Sequence, residues 1–122
     1  MSRYTQILGK WGEQLAVEHL TGLGYQIISV NHRTPFGEID IIAQDGSELV
    51  FVEVKTRSSN ALGNPEGSVT PKKQQHILDS AQHYLTNLDP QVDEWRVDVV
   101  AITGRPGNSK IDIQVFQNAL YF

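Results

Sequence analysis

Residues 38–57 read EIDIIAQDGSELVFVEVKTR and carry the signals that decide the fold of this chain. Two apolar runs flank the dipeptide Asp45-Gly46, which favours the tight turn of a β-hairpin. The second run, residues 48–56, has the strongest strand pattern in the sequence because both of its alternating faces begin apolar. The stretch therefore predicts two antiparallel strands, at residues 38–43 and 48–56.

The flanking segments extend this hairpin into the order α-β-β-β-α-β-β. Helical spacing of apolar residues predicts helices over 5–21 and 70–88. Alternating patterns predict three further strands, which cover residues 25–32, 96–103 and 110–116. Because a helix separates the third strand from the fourth, we expect a right-handed crossover that makes these two strands parallel. The predicted fold class is α/β, with a mixed five-stranded sheet flanked by helices.

Length and composition limit the class of protein. The 122 residues fit one domain spanning residues 1–122. No apolar run approaches the roughly 20 residues of a membrane span, and the first 20 residues lack the order of a signal peptide. The absence of cysteine excludes disulfides, zinc–thiolate sites, iron–sulfur clusters and cysteine nucleophiles. We therefore expect a cytoplasmic protein with no membrane partner.

Three charged residues interrupt the strands of the hairpin. Asp40 lies in one strand, and Glu53 and Lys55 lie in the other, where burying a charge is costly. Counting back from the turn puts Asp40 near residues 51–53, so the two carboxylates are expected to converge. Glu53 and Lys55 share one face because side chains alternate along a strand.

Two carboxylates beside an ammonium group suit phosphodiester hydrolysis. Carboxylates are the ligands that Mg²⁺ and Mn²⁺ prefer, and one or two such ions activate water and stabilise the leaving oxygen. Lys55 is placed to position the attacking water or to neutralise charge on the phosphorane. Asp40, Glu53 and Lys55 are therefore the candidate catalytic residues.

The same residues carry a resemblance to a known family. The run from Gly37 to Asp40 (GEID), followed after twelve residues by Glu53-Val54-Lys55, resembles the PD-(D/E)xK nuclease signature, although Ile39 stands where that signature has proline. With the preceding helix string GKWGEQLAVEHL, the chain resembles, over essentially its whole length, the YraN-like family of predicted endonucleases. That family is similar to archaeal Holliday junction resolvases. The resemblance implies a restriction-endonuclease-like fold.

The resemblance also implies roles for individual residues. Asp40 and Glu53 correspond to metal ligands, and the Val54 carbonyl corresponds to a further ligand. Lys55 corresponds to the catalytic lysine. Glu13 matches the acidic residue of the first helix that completes such sites. The implied cofactor is Mg²⁺ or Mn²⁺.

Four polar residues near the strand and helix ends are candidate substrate contacts. Arg57 either contacts a phosphate beyond the catalytic strand or caps the strand end. Lys72 and Lys73 lie in the first turn of the second helix, where cations oppose the helix dipole unless a substrate phosphate binds there. Gln74 faces either the cleft or solvent.

Other polar and aromatic residues have simpler interpretations. Glu38 is expected to be an exposed charge at the start of its strand. Asp98 is expected to be structural, paired with Arg96 or another cation. Trp11 and Trp95 are expected in the core or at an interface rather than as stacking platforms for bases.

The sequence therefore favours a metal-dependent nuclease that hydrolyses phosphodiester bonds in DNA, and the resemblance to resolvases implies branched or damaged DNA as its substrate. The likeness to resolvases, which make two symmetric cuts in a junction, leads to the hypothesis of a homodimer. Because so small an enzyme has few elements for reading bases, recognition is expected either through the shape of the DNA or through a recruiting protein partner. The alternative is a catalytically inactive nucleic-acid-binding or protein-interaction module with the same fold. The net charge of −4 supports this alternative, since charge alone does not attract a polyanion. Metal binding separates the two hypotheses.

Overall fold

A computed structural model describes residues 3–58 and 70–119 of the chain. It contains two helices and five strands in the predicted order. Their bounds are α1 Arg3–Gly22, β1 Gln26–Thr34, β2 Gly37–Asp45, β3 Glu48–Arg57, α2 Pro71–Thr86, β4 Trp95–Thr103 and β5 Asp112–Phe116. The expected loop at residues 58–69 lies, apart from its first residue, outside the described residues. Among the described residues, neither helix has the length and apolar character needed to cross a bilayer.

The five strands form one sheet in the order β1-β2-β3-β4-β5. The β3–β4 pair is parallel and the other three pairs are antiparallel, which confirms the predicted mixed sheet. In the hairpin, Asp45 pairs with Glu48 and Ile41 pairs with Val52. Continued by one residue, this register places Asp40 opposite Glu53.

The helices cover opposite faces of the sheet. Ala16 and Leu20 of α1 pack in one apolar cluster with Val50 and Val52, while Ile77 of α2 packs on the other face in a cluster with Phe51 and Val97. Because β3 and β4 are covered on both sides, their sequences are nearly continuous apolar runs. Trp11 and Trp95 are partly buried against these two clusters, in agreement with their expected place in the core.

The close approach of α1 to β3 depends on Gly12. This residue is buried, and a Cβ added there would overlap the Thr56 side chain and lie 2.9 Å from the Thr56 Cβ. A larger side chain would therefore push the helix off the strand. Since Glu13 is the next residue, the same contact sets the position of its carboxylate.

Asp98 is fully buried and belongs to a structural ion network. Its carboxylate accepts hydrogen bonds from the Tyr25 hydroxyl at 3.0 Å and from Arg96 Nε at 3.0 Å. The Arg96 guanidinium also reaches Asp45 at 2.8 Å and Glu48 at 2.9 Å. Burial disfavours the charged guanidinium, but the hydrogen bonds that it donates to Asp98 and Asp45 outweigh this effect and raise the pKa of Arg96. The structural interpretation of Asp98 thus agrees with its contacts.

Substitution of Asp98 tests this network. Asp98→Ala leaves Arg96 without the one fully buried carboxylate of its network, so we expect the free energy of unfolding to fall by about 3 kcal/mol or more. Urea denaturation measures this change. Asp112→Ala, at an exposed position, is the control and should stay within about 0.5 kcal/mol of wild type. Equal losses in the two variants would contradict the assignment.

Two glycines of α1 provide a matched test of the helix–strand contact. A Cβ at Gly9 meets nothing within 4 Å, so Gly9→Ala should stabilise the protein by about 0.5–1 kcal/mol through helix propensity. Gly12→Ala should instead destabilise it by about 1–3 kcal/mol, because the added methyl group collides with Thr56. Urea denaturation of both variants measures the difference. Stabilisation by both substitutions would show that Gly12 makes no tight contact.

Candidate active site

An open cleft of about 820 Å³ lies between the first half of α1, the end of β3 and the first turn of α2. It brings together six of the residues singled out from the sequence, which are Glu13, Asp40, Glu53, Val54, Lys55 and Lys73. Arg57, Lys72 and Gln74 are not among the described residues that line it. The cleft wall also includes Arg3 and Lys10 of α1, which the sequence alone did not single out.

Asp40 is held against the backbone of β3. Its Oδ2 accepts a hydrogen bond from the Val54 N–H at 2.8 Å. Burial, followed by the charge of Glu53, raises the pKa of Asp40 to about 8, although the bond from Val54 opposes the shift. In the protein without a bound cation, Asp40 therefore keeps a proton at neutral pH.

Three carboxylates are close enough to hold one metal ion. Oxygens of Glu13, Glu38 and Asp40 all lie within 4.8 Å of one another. Burial also raises the pKa of Glu13. A hydrogen bond with Asn31 lowers this pKa in part, whereas the charges of Glu38 and Glu53 raise it further. Neighbouring carboxylates repel one another when they are ionised, and a divalent cation bound between them offsets this repulsion. Oxygen atoms are also the ligands that Mg²⁺ prefers, so the cluster fits such an ion.

Glu38 is the member of this cluster that the sequence analysis missed. Its side chain is 40% exposed, as expected at the start of a strand, and Arg33 approaches it only at 3.9 Å. The available signal was the alternation of β2, since Glu38 and Asp40 are two residues apart and share a face. The alternation that places Glu53 beside Lys55 therefore also places Glu38 beside Asp40.

Two lysines lie beside the carboxylates. Lys55 Nζ is 3.4 Å from Glu53 Oε1, and both side chains are only 16% exposed. A hydrogen bond with Lys55, together with partial burial, lowers the pKa of Lys73. The cleft thus combines a cluster of carboxylates with two neighbouring amino groups, an arrangement able to hold a cation and an anion side by side.

The raised pKa of Asp40 predicts a pH-dependent stability. Between about pH 4 and pH 8 the native state binds a proton that the unfolded chain has released, so the free energy of unfolding falls as pH rises. Asp40→Asn keeps an oxygen for the Val54 N–H and carries no charge. We expect this variant to exceed wild type in stability by on the order of 2 kcal/mol at pH 8 in the presence of a chelator, and by much less at pH 4.

Urea denaturation at the two pH values measures this effect. Asp93→Asn, which removes an exposed carboxylate, is the control and should leave the difference between the two pH values unchanged. An Asp40→Asn variant that is no more stable than wild type at pH 8 would contradict the raised pKa.

Comparison with known proteins places this cleft within a family. The model of Uncharacterised protein family UPF0102 matches residues 12–102, which include Glu13, Asp40, Glu53 and Lys55. A UPF0102 protein of Chlorobium limicola is 52% identical over 95 residues, covering 78% of this chain and 74% of the relative. A UPF0102 protein of Caldicellulosiruptor saccharolyticus is 40% identical over 112 residues, covering 92% and 95% respectively. The chain therefore belongs to the uncharacterised protein family UPF0102, the YraN-like family that its sequence resembles.

Proposed function

We propose that this protein is a metal-dependent nuclease that hydrolyses phosphodiester bonds in DNA. The observation that carries the proposal is the single cleft shared by the carboxylates of Glu13, Asp40 and Glu53 and the amino groups of Lys55 and Lys73. Carboxylates that bind a hard cation, beside lysines that bind a phosphate, are groups that metal-dependent phosphodiester hydrolysis uses.

The carboxylate cluster would hold Mg²⁺ or Mn²⁺. Glu13, Glu38 and Asp40 supply the oxygen donors, and Glu53 borders them from the adjacent strand. A divalent ion at such a site supplies Lewis-acid stabilisation of negative charge on a phosphoryl oxygen. The Val54 N–H orients the Asp40 carboxylate, so this ligand is fixed before a cation binds.

The basic residues provide contacts to the substrate. Lys55 is held by Glu53 at 3.4 Å and would donate hydrogen bonds to a non-bridging oxygen of the scissile phosphate. Lys73 lies within hydrogen-bond reach of Lys55 and adds a second amino group at the same point. Arg3 and Lys10 of α1 line the cleft and would contact neighbouring phosphates of the bound strand.

The carboxylates of the cleft, rather than the net charge of the chain, support a metal-dependent form of DNA binding. The cleft places carboxylates where a phosphate must approach, so DNA is repelled until a cation neutralises them. An inactive binding module has no such requirement. The effect of the cation on DNA binding therefore separates the proposed nuclease from the alternative module.

A cleavage panel tests the proposal. Single-stranded, duplex, flapped and four-way-junction DNA would be incubated with wild type and with Lys55→Ala or Glu38→Gln protein, in Mg²⁺ or Mn²⁺. We expect wild type to cut, with preference for branched forms, and Lys55→Ala to lose roughly 100-fold or more in rate. Glu38→Gln should raise the Mn²⁺ concentration needed for half-maximal cutting.

The control is Glu18→Gln, which removes an exposed carboxylate of α1 outside the cleft and should cut like wild type. Cutting that persists unchanged in Lys55→Ala would identify a contaminating nuclease. Absence of both cutting and Mn²⁺ binding by wild type would favour the inactive module.

A further inference from the structure

Phe36 is an exposed aromatic residue beside the candidate active site. It lies in the turn between β1 and β2, two residues before Glu38, and 50% of its surface is accessible. An isolated exposed apolar residue is ordinary on a protein surface. Phe36 differs from such a residue in three respects. These are its position beside the cleft, the hydrogen bonds that hold its turn, and the charged side chains around it.

The turn that carries Phe36 is fixed to α2. The Thr34 hydroxyl accepts a hydrogen bond from the Phe36 N–H at 3.1 Å, and it lies 2.9 Å from the hydroxyl of Ser80, a buried residue of α2. Gly37 follows with φ of 138°, which a side chain at that position would strain. The ring is therefore presented to solvent from a defined backbone conformation.

A small hollow joins Phe36 to the cleft. Its volume is about 170 Å³, and its lining includes Phe36, Glu53, Lys73 and His76. Glu53 and Lys73 also line the main cleft, so the ring stands directly beside the candidate catalytic groups. The His83 ring contacts Phe36 at a centroid distance of 6.1 Å and supports it from the side of α2.

Basic and acidic side chains both surround Phe36. Lys73 and His76 lie on the α2 side of the hollow, Glu38 and Glu53 lie on its strand side, and the Arg33 side chain on β1, 3.9 Å from Glu38, is 90% exposed. With a cation on the carboxylates, as proposed above, the basic groups remain to contact phosphates. Basic side chains around an exposed aromatic ring are the usual elements of single-strand binding, in which the cations contact phosphates and a base stacks on the ring.

We propose that Phe36 is a stacking platform for an unpaired base next to the scissile phosphate. This inference rests on the proposed nuclease function and narrows its substrate class. Within a duplex both faces of a base are covered by its neighbours, so a platform of this kind accepts a base only from a single strand or a base turned out of the helix. The preferred substrates are therefore strands with unpaired nucleotides at the cut, such as flaps, gaps and branch points.

Equilibrium binding tests the platform without turnover. Fluorescence anisotropy would compare a labelled 12-nucleotide single strand with the corresponding duplex, in Ca²⁺, for wild type, Phe36→Ala, Phe36→Leu and Phe36→Trp. We expect Phe36→Ala and Phe36→Leu to weaken single-strand binding roughly 10-fold, the value of one base–aromatic stack, and to leave duplex binding nearly unchanged. Leu23→Ala, which removes an exposed apolar side chain beyond the far end of α1, should bind like wild type.

Phe36→Trp supplies a direct readout. This variant should retain single-strand binding. Its tryptophan fluorescence in excess of wild type, which comes from the ring at position 36, should be quenched by the single strand and not by the duplex. Equal weakening for both forms of DNA, full single-strand binding by Phe36→Ala, or unquenched emission would overturn the platform. The quenching is independent of hydrolysis. If the single strand does not quench Phe36→Trp while wild type cleaves DNA, the stacking platform is wrong and the nuclease proposal stands. If wild type does not cleave DNA while quenching is intact, the nuclease proposal is wrong and Phe36 still binds an unpaired base.

Discussion

The central strand β3 is the constraint on which the rest of the structure depends. It pairs antiparallel with β2 and parallel with β4, so its backbone is fixed on both sides. Its first half is apolar and buried between the two helices, whereas Glu53 and Lys55 follow in the same strand without a break. The alternation of side chains along β3 therefore sets the directions of Glu53 and Lys55 as well as those of the core residues. Partial burial of these two charges lowers the stability of the fold.

The sheet contains two groups of acidic residues with opposite electrostatic character. Around Arg96, a guanidinium neutralises Asp98, Asp45 and Glu48 within hydrogen-bond distance. At the other end of β3, the carboxylates around Asp40 meet only the distant guanidinium of Arg33, 3.9 Å from Glu38, among the ion pairs of the described residues, and the pKa of Asp40 is raised as a result of burial and repulsion. The first group is neutralised by Arg96, and the second is the one that a bound cation would stabilise.

The sequence predicted most of the fold because its strongest signals are local. The Asp45-Gly46 turn set the hairpin register, and that register brought Asp40 to Glu53. Glu38 was missed because its place at the start of a strand suggested solvent, although the alternation of β2 pointed to the cluster. Lys73 enters the cleft while Lys72 does not, since neighbouring residues of a helix differ by about 100° in direction and the pattern alone does not fix its rotation.

Other features depend on contacts that no local pattern contains. The hydrogen bond of Asn31 to Glu13 arises where β1 departs from regular geometry, with a φ of 54° at Asn31. The links from Arg96 to Tyr25 and Glu48 join residues 71 and 48 positions apart. Such pairings follow from the finished packing and become visible only in the structure.

The contact between Gly12 and Thr56 has a consequence for the order in which the cluster forms. Glu38 and Asp40 arrive together on one strand, but Glu13 joins them only after α1 has docked on the sheet. A partly folded chain with the hairpin alone lacks the third carboxylate. Because a ligand stabilises only the state that binds it, a cation held by all three carboxylates would draw the equilibrium toward the docked helix. A bound cation would thus stabilise the chain only when α1 and the hairpin are both in place.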